Sequence, residues 1–94
     1  MTPYIITTGA NGRCVIYGYS EEEPQPGQPF RLERARMVIR WTGQGIFGLA
    51  ANGPRSADRI SKAVKVTAGG PVKEVLHVST EAATKLDEAP AWQG

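Results

Sequence analysis

Three arginines lie close together in the stretch "ERARMVIRW", which runs from Glu33 to Trp41. Arg34 and Arg36 are two residues apart, and Arg40 follows four residues later. On a β-strand, residues two apart lie on the same face at about 6.5–7 Å, which suits adjacent phosphate or carboxylate groups. Guanidinium groups bind such oxyanions in a planar, bidentate way. The row therefore predicts a binding surface for an anion.

The same row has a simpler interpretation as the solvated face of a strand. In that case acidic residues would neutralise it, and the sequence offers Glu33, Glu74 and the acidic run Glu21–Glu23 as partners. Exposed ion pairs of this kind are common and contribute little. Both interpretations remain open at the level of the sequence.

The segment "WTGQG" follows the arginine row directly. Trp41 offers an aromatic wall, while Gly43 and Gly45 allow the backbone to approach a ligand and its amides to form an anion-binding nest. The alternative is a tight connection between a strand and a helix. The phosphate-loop pattern GxxxxGK[ST] and the dinucleotide pattern GxGxxG are both absent from the sequence.

Residues for catalysis or metal binding are scarce. One cysteine, Cys14, and one histidine, His77, provide neither a disulfide nor a Cys/His metal set, and we expect Cys14 to be buried as a small apolar residue. Carboxylates such as Asp58 and Asp87 lie in segments expected to be exposed, without the dry cleft that acid–base catalysis needs. We therefore expect no enzyme activity, no metal and no cofactor.

Length and charge set wider limits. A chain of 94 residues predicts a single domain over 1–94 with a modest core, so we expect a homo-oligomer that adds buried surface. The net charge of +2 is too small to indicate nucleic-acid binding, which stays uncertain. The start "MTPYIITTG" lacks the pattern of a secretory signal, and no apolar run approaches the length of a membrane span. We expect a cytoplasmic protein that does not contact membranes.

The clearest structural signal is "YIITTGANGRCVIYGYS". Asn11-Gly12 tolerates positive φ at both centres of a tight turn, which predicts an antiparallel hairpin over residues 4–9 and 13–20. Tyr17 and Tyr19 share one face of this hairpin, so we expect one of them to face solvent or an interface. The acids and prolines of Glu21–Pro29 then predict an exposed loop.

Phe30 to Trp41 predicts a second strand region, broken near Glu33-Arg34. Strict alternation places one apolar set and the arginine set on opposite faces. The apolar set comprises Ala35, Met37, Ile39 and Trp41, and the other comprises Arg34, Arg36, Val38 and Arg40. We expect the three guanidinium groups to share one accessible side.

The rest of the chain predicts two short helices and another hairpin. A helix over Ile46 to Asn52 would end at Gly53 in the left-handed conformation. Strands Ile60–Thr67 and Val72–Val78 would pair around Gly69-Gly70-Pro71. A last helix, capped by Ser79 or Thr80 and ended by Pro90, would leave Trp92 over an exposed edge of the core. The predicted fold is mainly β (α+β): a small twisted antiparallel sheet or open barrel of about five strands with two short helices.

The run "ARMVIRWTGQGIFGLAANG" and the later "VKEVLHVSTEAATKLDEAPAW" carry a family resemblance over roughly residues 34–92. The matching positions are Arg36, Trp41, Gly43, Leu49, Ala50, Gly53, Glu74, Val75, Ser79, Ala82, Pro90 and Trp92. With these motifs the chain resembles an uncharacterised family of small tailed-phage proteins, a domain of unknown function. The resemblance implies a phage or prophage accessory protein that acts by binding.

The residues and the resemblance together favour a non-enzymatic, oligomeric binding module for an anionic, nucleotide-like ligand. Such a module could sequester a bacterial defence signal and so serve immune evasion. Arg34, Arg36 and Arg40 would supply charge, Trp41 a wall, and the backbone of Gly43–Gly45 an amide cradle. The alternatives are a structural or assembly protein of the virion and a weak nucleic-acid binder.

Overall fold

The computed structural model describes residues 1–93, which form an antiparallel sheet and two helices. The strands are β1 (Thr2–Thr8), β2 (Cys14–Ser20), β3 (Phe30–Arg40), β4 (Arg59–Ile60), β5 (Val64–Gly69) and β6 (Val72–His77); the helices are α1 (Gly45–Asn52) and α2 (Thr80–Glu88). A short 3₁₀ turn, Ala10–Gly12, joins β1 to β2. The mainly β prediction is confirmed, with six strands where about five were expected.

All strand pairs are antiparallel, and the strand order is β4-β3-β2-β1-β6. The long strand β3 has different neighbours along its length. Its first half pairs with β5 from Phe30 to Ala35, and its second half pairs with β4 at Val38 and Arg40. The end of β3 therefore lies beside the short strand that follows α1, which brings Arg40 opposite Arg59.

The first hairpin forms as predicted, since β1 and β2 pair from Thr2–Ser20 to Thr8–Cys14. Asn11 and Gly12 both have positive φ, 61° and 63°, but they belong to a longer connection that includes the 3₁₀ turn. Cys14 starts β2 at this open end, and its side chain is exposed. The expectation of a buried thiol was wrong because the strand end adjoins solvent rather than the core.

The second predicted hairpin was wrong. β5 pairs with β3 and β6 pairs with β1, so the two strands flank different parts of the sheet. The Gly69-Gly70-Pro71 corner instead packs on the loop between β2 and β3, where a Cβ on Gly70 would come within 2.8 Å of the Pro29 Cα. Val72 holds the same loop through backbone hydrogen bonds with Gly27 and Gln28 at 2.8 and 2.9 Å. The longer strands β3 and β1 are therefore the partners of β5 and β6, in place of the predicted pairing of β5 with β6.

The two faces of the sheet bury separate apolar clusters. The face under α1 and α2 holds Ile5, Val15, Tyr17, Tyr19, Val38, Leu49, Ala50, Ile60 and Leu86. The opposite face holds Ile6, Ile16, Phe30, Leu32, Ala35 and Val72. The sheet therefore separates a helix-covered core from a smaller one on its open side.

Both helices begin and end close to their predicted bounds. Ser79 caps α2 by accepting a hydrogen bond from the Ala82 amide at 3.0 Å. Gly53 ends α1 with the predicted positive φ, 86°, but its ψ of 178° lies outside the left-handed helical region. Only a residue without a side chain adopts this backbone conformation easily, so glycine is needed at this position.

A bulge at Arg34 divides β3 into two phases. Arg34 has φ 50°, and the two residues Arg34 and Ala35 of β3 together lie opposite the single residue Gly18 of β2. Leu32 and Ala35 consequently share one face although they are three residues apart. The predicted break near Glu33-Arg34 is thus a bulge within a continuous strand.

After the bulge, the side of β3 that faces the helices is the buried one. Arg36 and Val38 point towards the helices and are 6% and 3% exposed, whereas Met37 and Ile39 are 46% and 42% exposed. The alternation itself was predicted, but the expectation of one accessible arginine face was wrong. The helices cover the side on which Arg36 lies.

Candidate functional site

The predicted arginine row is divided by burial. Arg34 is exposed, and its guanidinium carbon lies 3.9 Å from the centroid of the Tyr19 ring. Arg36 is buried, whereas Arg40 and Trp41 are exposed at the end of β3. The structure therefore brings Arg40 and Trp41 to one accessible edge and leaves Arg36 out of it.

Arg36 is held by carbonyl oxygens alone. Its Nε donates to Ser61 O at 2.8 Å, and its Nη1 donates to Leu86 O at 2.7 Å and Asp87 O at 3.4 Å. The last carbonyls of a helix lack partners within the helix, and a cation there complements the helix dipole. Arg36 thus fastens the end of α2 to the sheet through its Nε and Nη1 donors.

Tyr17 and Tyr19 support the same helix end. The Tyr17 hydroxyl lies 2.9 Å from Asp87 Oδ1, and the Tyr19 hydroxyl donates to the other oxygen of that carboxylate. Both tyrosines are buried within the chain, so the expectation that one of them faces solvent or an interface was wrong. Burial raises the pKa of the Tyr17 hydroxyl well above its usual range, and the hydrogen bonds with Tyr19 and Asp87 raise it further.

The glycine turn engages part of its backbone within the protein. The Gly45 amide donates to Thr42 O at 2.9 Å, and the Thr42 amide donates to Asp58 Oδ1 at 2.9 Å. Gly45 has φ 67°, which favours glycine, while side chains added at Gly43 or Gly45 would meet no atom within 4 Å. Gly45 therefore shapes the turn, and its own amide is engaged within the protein.

Asp58 organises this turn together with the loop after α1. It is 8% exposed, contrary to the expected exposure, and accepts from the Thr42 hydroxyl and the Arg55 amide at 2.9 Å each. Burial raises the pKa of its carboxyl, but hydrogen bonds from Arg55, Thr42 and Gln44 lower it, and the net displacement is downward. Asp58 thus fixes the loop that carries Arg55 and leads into Arg59.

A cleft of about 600 Å³ lies between this loop, the end of α2 and the C-terminal tail. Arg55 and Arg59 line it from the loop side, Lys85 and Glu88 from α2, and Trp92 from the tail. The Trp92 amide donates to Ile60 O at 2.9 Å and so attaches the tail to β4. The Trp92 side chain is 47% exposed. Trp92, which was predicted to cover an exposed edge of the core, lies beside β4 and also borders this open cleft.

The charges of the cleft are only partly compensated. Lys85 Nζ lies 3.1 Å from Glu81 Oε1, but in residues 1–93 no carboxylate comes within 4.0 Å of the guanidinium groups of Arg55 or Arg59. Within residues 1–93, Arg59 Nη1 makes two long contacts, to Ser56 O at 3.3 Å and Asp58 O at 3.4 Å. Arg40 lies directly across from Arg59 in the strand register. Arg55 and Arg59, without carboxylate partners in residues 1–93, therefore give the loop side of the cleft a positive charge that suits an anion.

Sequence reasoning missed Arg55 and Arg59. The signal was present in "PRSADRI", where two arginines flank an aspartate that can fold the loop onto its own amides. Their position beside Arg40 depends on the pairing of β3 with β4, and a strand of only two residues has no recognisable sequence pattern. The position of Trp92 at the cleft likewise depends on a long-range hydrogen bond, from the Trp92 amide to Ile60 O.

Within residues 1–93, no three metal-binding side chains of the His, Cys, Asp or Glu type come together. In the same range, no helix is long and apolar enough to cross a bilayer.

Comparison with known proteins identifies one family. No curated protein and no solved structure matches the chain significantly. A family model described as a domain of unknown function, DUF6948, matches residues 1–86. That range includes the first hairpin, which the resemblance read from the sequence did not cover, and it stops before Pro90 and Trp92. Because the match spans most of its length, the chain belongs to the DUF6948 family.

Proposed function

We propose that the protein is a non-enzymatic binding module for a small anionic, nucleotide-like ligand, and that the ligand occupies the cleft between the Arg55–Arg59 loop and the tail. One observation carries this proposal: two guanidinium groups without carboxylate partners among residues 1–93 border a cleft that also exposes an aromatic ring. The site thus moves from the predicted arginine row to the neighbouring corner of the fold.

The anionic part of the ligand would bind the two arginines. Guanidinium groups bind phosphate through paired, charge-assisted hydrogen bonds. Arg40 pairs with Arg59 in the strand register and adds positive charge nearby, but it does not line the cleft itself.

Trp92 would bind the remaining part of the ligand. Stacking of a base on an aromatic side chain contributes about 1–3 kcal/mol and suits any base. The volume of about 600 Å³ lies within the range of pockets that hold small molecules. A nucleotide fits this combination of a ring surface and a cationic corner.

The test is calorimetry with adenosine monophosphate and the Arg55→Ala/Arg59→Ala double variant. We expect measurable binding to the wild type and a loss of at least about tenfold in the variant, because two charge-assisted contacts disappear. Arg13→Ala is the control, since Arg13 is exposed at the connection between β1 and β2 and does not line the cleft. Equal affinity of the double variant and the wild type would overturn the proposal.

The biological role expected from the resemblance is part of the same proposal. A phage-encoded module of this kind would sequester a nucleotide signal of bacterial defence in the host cytoplasm, which needs stoichiometric binding rather than turnover. Native mass spectrometry of the protein isolated from infected cells tests this role. A retained nucleotide mass would support it, and an empty protein that still binds virion components would count against it.

Self-association also belongs to the proposal. Met37, Ile39 and Val64 are exposed apolar side chains on the open sheet face, where Met37 and Val64 line a shallow groove. A second copy applying the same patch would bury them in a symmetric contact, as small chains commonly do. We expect Ile39→Lys to lower the mass measured by light scattering, and an unchanged mass would exclude this surface.

A further inference from the structure

The cleft carries one acidic side chain whose position suggests ligand selectivity. Glu88, in the last turn of α2, lines the cleft opposite the loop with Arg55 and Arg59. We infer, on the basis of the proposed function, that Glu88 makes the site selective for a nucleoside monophosphate over nucleotides with longer phosphate chains. The residue would limit the charge of the ligand and bind its sugar hydroxyls.

The other charges on the cleft are already engaged within the protein. Lys85 is paired with Glu81, and the Asp58 carboxylate accepts from the amides of Thr42 and Arg55. Glu88 has no basic side chain within 4.0 Å in the described part of the chain. Among residues 1–93, two guanidinium groups and one carboxylate on the cleft have no ion-pair partner, and these charges meet an incoming ligand.

This balance suits a ligand of low charge. One phosphate can be neutralised by the two arginines, whereas each further phosphate would add negative charge in a cleft that already holds a free carboxylate. Charges a few ångströms apart in a partly enclosed site repel far more strongly than in bulk water. We expect a triphosphate to bind about tenfold more weakly than a monophosphate with the same base.

The carboxylate also offers hydrogen-bond acceptance. An ionised glutamate accepts but does not donate, so it pairs with hydroxyl or amino groups of a ligand. With the phosphate held at the arginines and the base on Trp92, the ribose hydroxyls are the donors between the two. A nucleoside monophosphate provides all three groups, while inorganic phosphate provides only the first.

The experiment compares adenosine monophosphate and adenosine triphosphate by calorimetry on the wild type, Glu88→Gln and the control Glu22→Gln. The substituted amide keeps a hydrogen-bond acceptor but removes the charge, and Glu22 is an exposed acid that does not line the cleft. We expect the wild type and the control to prefer the monophosphate about tenfold. In Glu88→Gln we expect the triphosphate to gain about tenfold and the monophosphate to change little.

The outcomes separate this inference from the proposed function. A wild type that prefers the triphosphate, or a Glu88→Gln variant that behaves like Glu22→Gln, would overturn the selectivity role while leaving the cleft as a binding site. Absence of binding by both nucleotides to all three proteins would overturn the proposed function itself, and the inference with it.

Discussion

Arg36 on β3 and Arg59 on β4 both lie near the end of α2, but their guanidinium groups meet different surroundings. Arg36 is covered by the helix and donates to three carbonyl oxygens. Arg59 lines an open cleft, makes long contacts to two carbonyls and lies across from another arginine. Donors bound to carbonyls under the helix fasten the fold, whereas donors at an open edge are accessible to an anion.

The largest expected effect is on stability and follows from replacing Arg36, the buried arginine of this comparison. Arg36→Met should lower the free energy of unfolding by about 3 kcal/mol, because it leaves carbonyls of Ser61 and the end of α2 without donors in a buried site. Urea denaturation followed by circular dichroism measures the change. Arg59→Met is the matched variant and should change stability by less than about 0.5 kcal/mol. Equal losses in the two variants would show that the distinction is wrong.

A smaller effect is expected at Asp58, which shapes the loop carrying the exposed arginines. Asp58→Ala should cost about 2 kcal/mol, since two backbone amides and a hydroxyl lose their acceptor. The pKa of Asp58 is lowered in the folded state, so its contribution is present above the unfolded value near 3.8 and is lost as pH falls through the folded value. Denaturation curves from about pH 7 to about pH 2 should show a steeper loss in the wild type than in Asp58→Ala, and parallel curves would refute this.

The tyrosine pair sharpens the comparison from the alkaline side. Tyr17→Phe should cost about 1 kcal/mol, because a buried hydroxyl bound to Asp87 and Ala83 is removed. The pKa of Tyr17 is raised in the folded state, so its contribution to stability is fully present below the unfolded value of 10.0. That contribution declines as pH rises above this value. Unfolding measured at about pH 8 and about pH 11 should show a smaller alkaline loss in Tyr17→Phe than in the wild type. An identical loss of stability in the two proteins would mean that ionisation of Tyr17 does not cause it.

The smallest expected effect is at Arg34, the exposed arginine next to the buried one. Arg34→Ala removes the cation over the Tyr19 ring and should cost about 0.5–1 kcal/mol in unfolding experiments. Nucleotide affinity should stay unchanged, because Arg34 does not line the cleft. A clear loss of affinity would return the site to the predicted arginine row.

Local chemistry made part of the fold predictable. Asn11-Gly12 specified the first hairpin, and Ser79 specified the start of α2 through its cap. In both cases the decisive contact joins residues at most a few positions apart. The alternation of β3 was likewise predictable, because it needs only the strand period.

Strand pairing and burial were not predictable in the same way. β5 and β6 are adjacent in sequence, yet β3 and β1 offer them longer partners elsewhere in the sheet. The burial of Arg36 depends on a carbonyl 50 residues away, and the cleft depends on a tail attached to β4. The residue types identified arginine as the relevant chemistry but could not tell which arginines keep their donors free.

The bulge in β3 has a genetic consequence. Arg34 is the one extra residue of β3 relative to β2, so a deletion of its codon would leave Leu32, Ala35 and Arg36 on their present sides of this strand pair. A deletion of the Met37 codon would instead reverse the faces of the residues on one side of it relative to the other, and Val38 would leave the core. Tolerated length variants of this strand among natural relatives should therefore concentrate at a single position.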